Sequence, residues 1–96
     1  MSYQVFYTPR SQETLRLVYD FINGKFGKRA ADKFLAKTGK VIELIAEQPQ
    51  MFKASIFNDD VRVALITKQT SMFYKITDTS VYLLFFWDNR QDPMIL

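Results

Sequence analysis

Between Thr8 and Pro49 the hydrophobic positions recur at helical spacing, and beyond Pro49 they recur at strand spacing. Leu15, Val18, Tyr19, Ile22 and Phe26 form one apolar stripe, with Gln12, Glu13, Arg16, Asp20 and Asn23 on the other side. Thr8 suits an N-cap, and Pro9 suits the first helical position, where its missing N–H costs nothing. The spacing therefore predicts a helix from Pro9, ended by Gly27 in the left-handed conformation rather than by Gly24, because Phe26 completes the stripe. A second helix resumes at Lys28 with Ala31, Phe34, Leu35, Val41, Ile42 and Ile45 inward, and runs to Gln48 before Pro49 forbids continuation. So short a connection predicts an antiparallel helical hairpin. Ala30, Ala31 and Gly39 are small enough to let the helices approach, which would explain a mid-helix glycine that costs roughly 1 kcal/mol relative to alanine.

Residues 3–7 read as a short first strand, and residues 52–57, 61–67, 72–76 and 81–87 as four more, separated by Asn58-Asp59-Asp60, Lys68-Gln69-Thr70 and Thr77-Asp78-Thr79-Ser80. The expected architecture is α+β: a short N-terminal strand, then an antiparallel helical hairpin packed on one face of an antiparallel β-sheet meander, with residues 1–96 forming one domain. The last strand, VYLLFFW, is apolar at both parities, so neither of its faces is designed for water. One face packs on the helices. The other is covered either by the chain itself or by a separate protein.

Composition mostly removes possibilities. The chain has neither cysteine nor histidine, which excludes disulfides, thiolate or imidazole metal ligands, and Ser-His or Cys-His catalysis. What remains is carboxylate, lysine, arginine and tyrosine chemistry. No cofactor or metal is expected. The first residues lack a basic region followed by an apolar stretch, and no run approaches the length a bilayer needs, so a cytoplasmic protein with no membrane partner is expected. A net charge of +3 is well short of a chain that lives on nucleic acid. Its distribution matters more. Lys25, Arg29, Lys33, Lys37 and Lys40 largely share one face of the second helix. A solvated face is the commoner cause of such a ridge, and contact with phosphates or an acidic protein segment is the alternative. Arg62, Lys68, Lys75 and Arg90 come from separate strands or turns; Arg90 follows a buried strand directly, with Asp88 available to pair with it.

The order and spacing of these elements resemble the RelE/ParE superfamily, the small toxins of bacterial type II toxin–antitoxin systems. The resemblance spans nearly the whole chain. It rests on Tyr7-Thr8-Pro9 leading into the first helix, Phe26-Gly27 at the helix turn, Leu44 to Pro49 closing the second, Val61-Arg62-Val63, Phe73-Tyr74-Lys75-Ile76 with Asp78, and the tail Asp88-Asn89-Arg90-Gln91-Asp92-Pro93.

The superfamily divides by target. RelE-like members cut messenger RNA on the ribosome, and ParE-like members are taken to poison DNA gyrase. Against the RelE-type nuclease set, Arg62 stands where a first lysine is expected, Ala64 replaces the second, Ser71 replaces a strand-opening arginine, Arg90 lies near the late arginine, and no tyrosine or histidine follows it. Cleavage without a metal needs a base, a proton donor and cations. Arg62, Lys68 and Arg90 offer cations, and Tyr74 is more at home in packing. The resemblance thus leans to the ParE branch, a gyrase inhibitor acting by binding, with a ribosome-dependent mRNA interferase using Arg62, Lys68 and Arg90 as the alternative. An inactive homologue that only binds antitoxin is a further one. The resemblance also implies a cognate antitoxin, wrapping the toxin as a helix and an added strand in a toxin–antitoxin hetero-oligomer. Its candidate contacts are Arg29, Lys33, Lys37, Tyr82, Leu84 and Phe86, and those of the target are Trp87, Asp88, Asn89 and Arg90.

Overall fold

The computed structural model describes residues 2–56, 58 and 60–90. Strand β1 (Gln4–Tyr7) leads straight into helix α1 (Pro9–Phe26) and helix α2 (Lys28–Glu47), and then into β2 (Val61–Thr67), β3 (Thr70–Ile76) and β4 (Ser80–Asp88). Thr8 caps α1 as its position predicts: its backbone is extended, and its Oγ1 accepts from the Ser11 N–H at 3.1 Å, with Pro9 beginning the helix. One residue joins the helices. Gly27 has φ 98° and ψ 167°, a positive φ as expected but with an extended ψ rather than the left-handed helical one, and that region is nearly closed to any residue with a side chain. Its N–H closes α1 onto the Asn23 carbonyl at 3.0 Å, and its carbonyl accepts from Ala31 at 3.2 Å to open α2.

The four strands form one sheet in the order β1-β4-β3-β2. β2, β3 and β4 are the antiparallel meander the pattern predicts, but β1 lies parallel to β4, so the sheet is mixed rather than antiparallel throughout. The helical hairpin returns the chain to the end where it began, and the third strand of a meander started there runs in the direction of β1. That places β4 between β1 and β3. A strand with neighbours on both edges and helices above has little use for polar side chains, which accounts for VYLLFFW.

A bulge divides that strand. Phe73 pairs with Phe85 and the next residue, Tyr74, pairs with Leu83, so Leu84 is the extra residue. Facing reverses there. Val81, Leu83 and Phe86 join the core with Phe34, Ile45, Ala64, Ile66, Met72 and Tyr74, whereas Phe85 turns to the opposite face and stacks on Phe73 with ring centroids 4.5 Å apart. The hairpin is pinned to the bulge. Thr8 Oγ1 donates to the Leu83 and Leu84 carbonyls at 2.7 and 3.1 Å, and Thr14 Oγ1 accepts the Phe86 N–H at 2.8 Å. The Thr8 N–H also donates to the Leu83 carbonyl at 3.3 Å, so the start of α1 is tied to the backbone of the bulge at several points.

Two further expectations are corrected. Residues 52–56 form no strand; one isolated bridge joins Ala54 to Arg62, while Phe57 lies outside the described residues. Around that bridge the Val63 N–H donates to the Lys53 carbonyl at 3.1 Å and the Ser55 N–H to the Val61 carbonyl at 2.6 Å, while the carbonyls of Gln50 and Phe52 accept from the Arg62 guanidinium and the Phe52 ring packs edge-on against Tyr74, so side chains take over where the pairing stops. Gly39 does not mediate close packing either. A methyl group placed there meets nothing within 4 Å, and the residue is exposed.

Candidate functional site

The predicted cations separate into two corners of the sheet. Arg62 sits near the start of β2 on the core side, opposite Tyr74. Its guanidinium donates to the Phe52 carbonyl at 2.5 Å and to the Gln50 carbonyl at 3.3 Å, and the Tyr74 hydroxyl donates to the Pro49 carbonyl at 2.6 Å. Arginine and tyrosine together hold the chain where it leaves α2. Burial pushes the Tyr74 hydroxyl up to about 12, the nearby Arg62 charge offsetting only part of the effect. The Tyr74 hydroxyl is therefore not placed to move a proton near neutral pH.

Lys68 and Arg90 lie at the other end of the sheet. Lys68 lies six positions after Arg62, a path of roughly 20 Å along an extended strand. The three cations of the nuclease alternative therefore do not converge. Arg90 is clamped by Asp88: Nε donates to Oδ1 at 3.0 Å, Nη2 to Oδ2 at 2.9 Å, and the Arg90 backbone N–H to Oδ1 at 2.9 Å. This bidentate pairing holds the Asp88 carboxyl below its usual range and raises Arg90 further. The guanidinium lies 4.8 Å from the centre of the Phe21 ring on α1, so it is oriented by a carboxylate on one side and an aromatic face on the other. Asn89 is occupied with the β2–β3 turn, donating its N–H to the Gln69 carbonyl at 2.6 Å and accepting from Ser71 Oγ at 3.0 Å. Gln91, Asp92 and Pro93 lie outside the described residues.

Beside Arg90 a cleft of about 350 Å³ opens between the helices and the β2–β3 turn. Its apolar walls are Val18, Ile22 and Phe26 from α1 with Ala30 and Phe34 from α2; its charged residues are Lys33, Lys37 and Arg90. Phe26, expected to complete the buried stripe, is 60% exposed here. On the other side of the Phe21–Arg90 contact, Leu17, Phe21, Trp87 and Asp88 line a second depression. Sequence reasoning missed the role of Phe21 and Leu17. Their signal was present, since neither falls on the stripe of Leu15, Val18 and Ile22, and an apolar residue off the buried face of a helix needs another explanation.

The remaining candidates scatter. Lys33 and Lys37 face the cleft; Arg29 is exposed and does not line it. Tyr82 is 38% exposed and stacks on Phe6 at 5.2 Å, and Leu84 is half-buried at the bulge. Phe86 is 2% exposed and belongs to the core, reaching the surface only as part of the wall of the second depression. The outer sheet face is partly closed by its own side chains: Phe85, under Phe73 and the Arg10 guanidinium, is 5% exposed. Among the described residues, no group of side chains could hold a metal ion, and no helix is long and apolar enough to cross a membrane.

A helical hairpin on a four-stranded mixed sheet is the fold of the small toxins of the RelE/ParE type. Residues 5–93 match the family model of the ParE toxin of the type II toxin–antitoxin system parDE, and the chain belongs to that family. No curated protein sequence matches it. Among solved structures, it is similar to a chain of the chromosomal ParDE toxin–antitoxin system from P. aeruginosa, with a TM-score of 0.78 at 13% identity, covering 91% of this chain and 96% of that one. It is also similar to a chain of the toxin–antitoxin complex RelBE2 from Mycobacterium tuberculosis, with a TM-score of 0.63 at 16% identity over 92% and 99% of the two chains. A third likeness is to the YoeB dimer from Staphylococcus aureus, with a TM-score of 0.63 at 11% identity over 88% and 94%. At these identities the likeness is one of fold.

Proposed function

We propose that this toxin acts by binding rather than by cutting RNA, that its target is DNA gyrase, and that a cognate antitoxin holds it inactive in a hetero-oligomer in the cytoplasm. The observation that carries this is the position of Arg62. A metal-free nuclease needs its cations and proton carriers around one phosphate. Here Arg62 is turned inward onto the Gln50 and Phe52 carbonyls, Tyr74 is spent on Pro49, and Lys68 and Arg90 stand at the far end of the sheet. What the surface offers instead is Arg90, exposed, oriented by Asp88 and Phe21, and bordered by apolar depressions on both sides. A held arginine beside aromatic surface is the usual composition of a protein-binding hot spot. The antitoxin part rests on membership in the ParE family and on the fold likeness to chains of the ParDE and RelBE2 complexes.

The test is a supercoiling assay with purified gyrase and relaxed plasmid, run beside a translation extract probed for mRNA cuts. Inhibition of supercoiling that is lost in Arg90→Ala, with intact mRNA, is the expected result. Codon-phased cleavage in the extract with normal supercoiling would establish the interferase instead.

A further inference from the structure

Strand pairing gathers an aromatic surface on the side of the sheet away from the helices. Ala64, Ile66, Met72, Leu83 and Val5 pack into the core, so their neighbours along each strand point outward. The register sets Val63, Phe73 and Phe85 side by side, and next to them Lys75, Tyr82 and Phe6. Phe73 stacks on Phe85, Phe6 stacks on Tyr82 with both rings partly exposed, and Leu65 stands 58% exposed at the rim. Trp87, two residues on from Phe85, carries this surface to the depression it shares with Phe21, the ring on which Arg90 lies. Arg10 is held over the middle, its guanidinium 4.6 Å from the centre of the Phe85 ring. The ion pairs among the described residues are Lys28 with Asp32 and Arg90 with Asp88, so neither Arg10 nor Lys75 has a carboxylate of its own. The outward positions of the paired strands hold no acid at all.

We propose that this face, centred on Arg10, is the surface on which the target docks, and that it takes a patch of a folded protein in which protruding apolar side chains are ringed by carboxylates. This rests on the proposed function in taking the toxin to act by binding and the target to be gyrase. Charge and shape select that occupant. Two copies of this chain packed by the same face would bring Arg10 and Lys75 of each into an apolar contact with no acid to receive them. A nucleic acid would meet the two cations, but Phe85 is 5% exposed beneath Arg10 and leaves no ring face for a base, and Val63 and Leu65 offer a base nothing. An acidic, apolar protein surface satisfies both. Two steps of about 7 Å along the strands and three of about 5 Å across them make the face roughly 14 by 14 Å, well short of the about 800 Å² per partner of a stable complex. It is therefore the centre of an interface that continues through Trp87 to Arg90, with an arginine held on an aromatic ring at each end. Tyr82, grouped by sequence with the antitoxin contacts, falls to the target instead.

The experiment has two readouts on the same variants: calorimetry of the purified chain with purified gyrase, and growth arrest in bacteria induced to make the chain alone. Arg10→Glu should weaken gyrase binding by about tenfold or more at low salt, and Leu65→Glu by about tenfold. Arg10→Lys should weaken it by about threefold, because the charge stays while the flat contact with Phe85 goes. Arg16→Glu, the same change of charge at an exposed position on the polar side of α1, should leave binding and growth arrest as they are in wild type. Near-ultraviolet circular dichroism checks that each variant is folded, and Arg10 and Leu65 are both exposed, so each tolerates the change. Folded Arg10→Glu and Leu65→Glu that bind gyrase and arrest growth as wild type does would overturn the assignment of this face. So would a wild-type dimer that Leu65→Glu splits, or a single-stranded oligonucleotide whose binding Arg10→Glu abolishes, since each gives the face another occupant. A wild type that arrests growth without binding gyrase, relieved by both substitutions, would keep the face and discard gyrase as the target. A wild type that neither binds gyrase nor slows growth would overturn both.

Discussion

Two arginines define two ends of this molecule, and their acceptors tell them apart. Arg62 donates to main-chain carbonyls of the segment after α2, from a half-buried position on the core side of the sheet. Arg90 donates to a neighbouring carboxylate, with its side chain 43% exposed. A guanidinium on carbonyls fixes where a loop runs, and removing it strands acceptors. A guanidinium on a surface carboxylate fixes only its own direction, and removing it costs the fold little. By sequence both stood as candidate functional cations. By structure one is part of the scaffold and the other is free to face a partner.

Substitutions can break or sharpen this contrast. The largest effect is expected at the scaffold end: Arg62→Leu should cost about 2–3 kcal/mol in urea denaturation, because two carbonyls lose their donor. Tyr74→Phe should cost about 1–2 kcal/mol by the same assay, leaving the Pro49 carbonyl unpaired while the ring remains. Next is a gain. Gly39→Ala should raise stability by about 0.5–1 kcal/mol, since the position is helical, open and exposed. A loss there would restore the close-packing explanation.

The smallest stability effect is expected at the other arginine: Asp88→Asn should change stability by less than about 1 kcal/mol, as exposed pairs do. Its pH dependence has a definite sign. The Asp88 carboxyl is lowered in the folded state, so its contribution is present above the ordinary carboxylate value of about 3.9 and is lost as pH falls through the folded value. A comparison of acid denaturation in wild type and Asp88→Asn should show the curves converging at low pH.

Local signals predicted the local structure. Thr8 with Pro9, Gly27 and Pro49 mark the helix limits because capping and φ restriction act over a few residues. The meander was equally legible from its turns. The parallel pairing of β1 with β4 was not, since nothing in Gln4–Tyr7 encodes a partner nearly eighty residues away; that register follows from the return path of the hairpin. The stretch after Pro49 alternates like a strand, yet it pairs with β2 through a single bridge, and the Arg62 side chain takes the Gln50 and Phe52 carbonyls. The bulge at Leu84 exchanges the faces of Phe85 and Phe86, and a run of aromatic residues gives no warning of it. The same limit applies to the site: Arg90 and the cleft lysines could be named from sequence, but Phe21, which meets Arg90 from α1, lies nearly seventy positions away.

The most direct test of the central claim, that Arg90 and not Arg62 faces the target and that the toxin acts by binding, is pulse labelling of DNA and protein synthesis in bacteria induced to make the chain without its antitoxin. Wild type and a folded Arg90→Ala variant should be compared side by side. The account predicts an early block in DNA synthesis that Arg90→Ala relieves. An early block in protein synthesis with codon-phased mRNA cuts, persisting in Arg90→Ala, would contradict it.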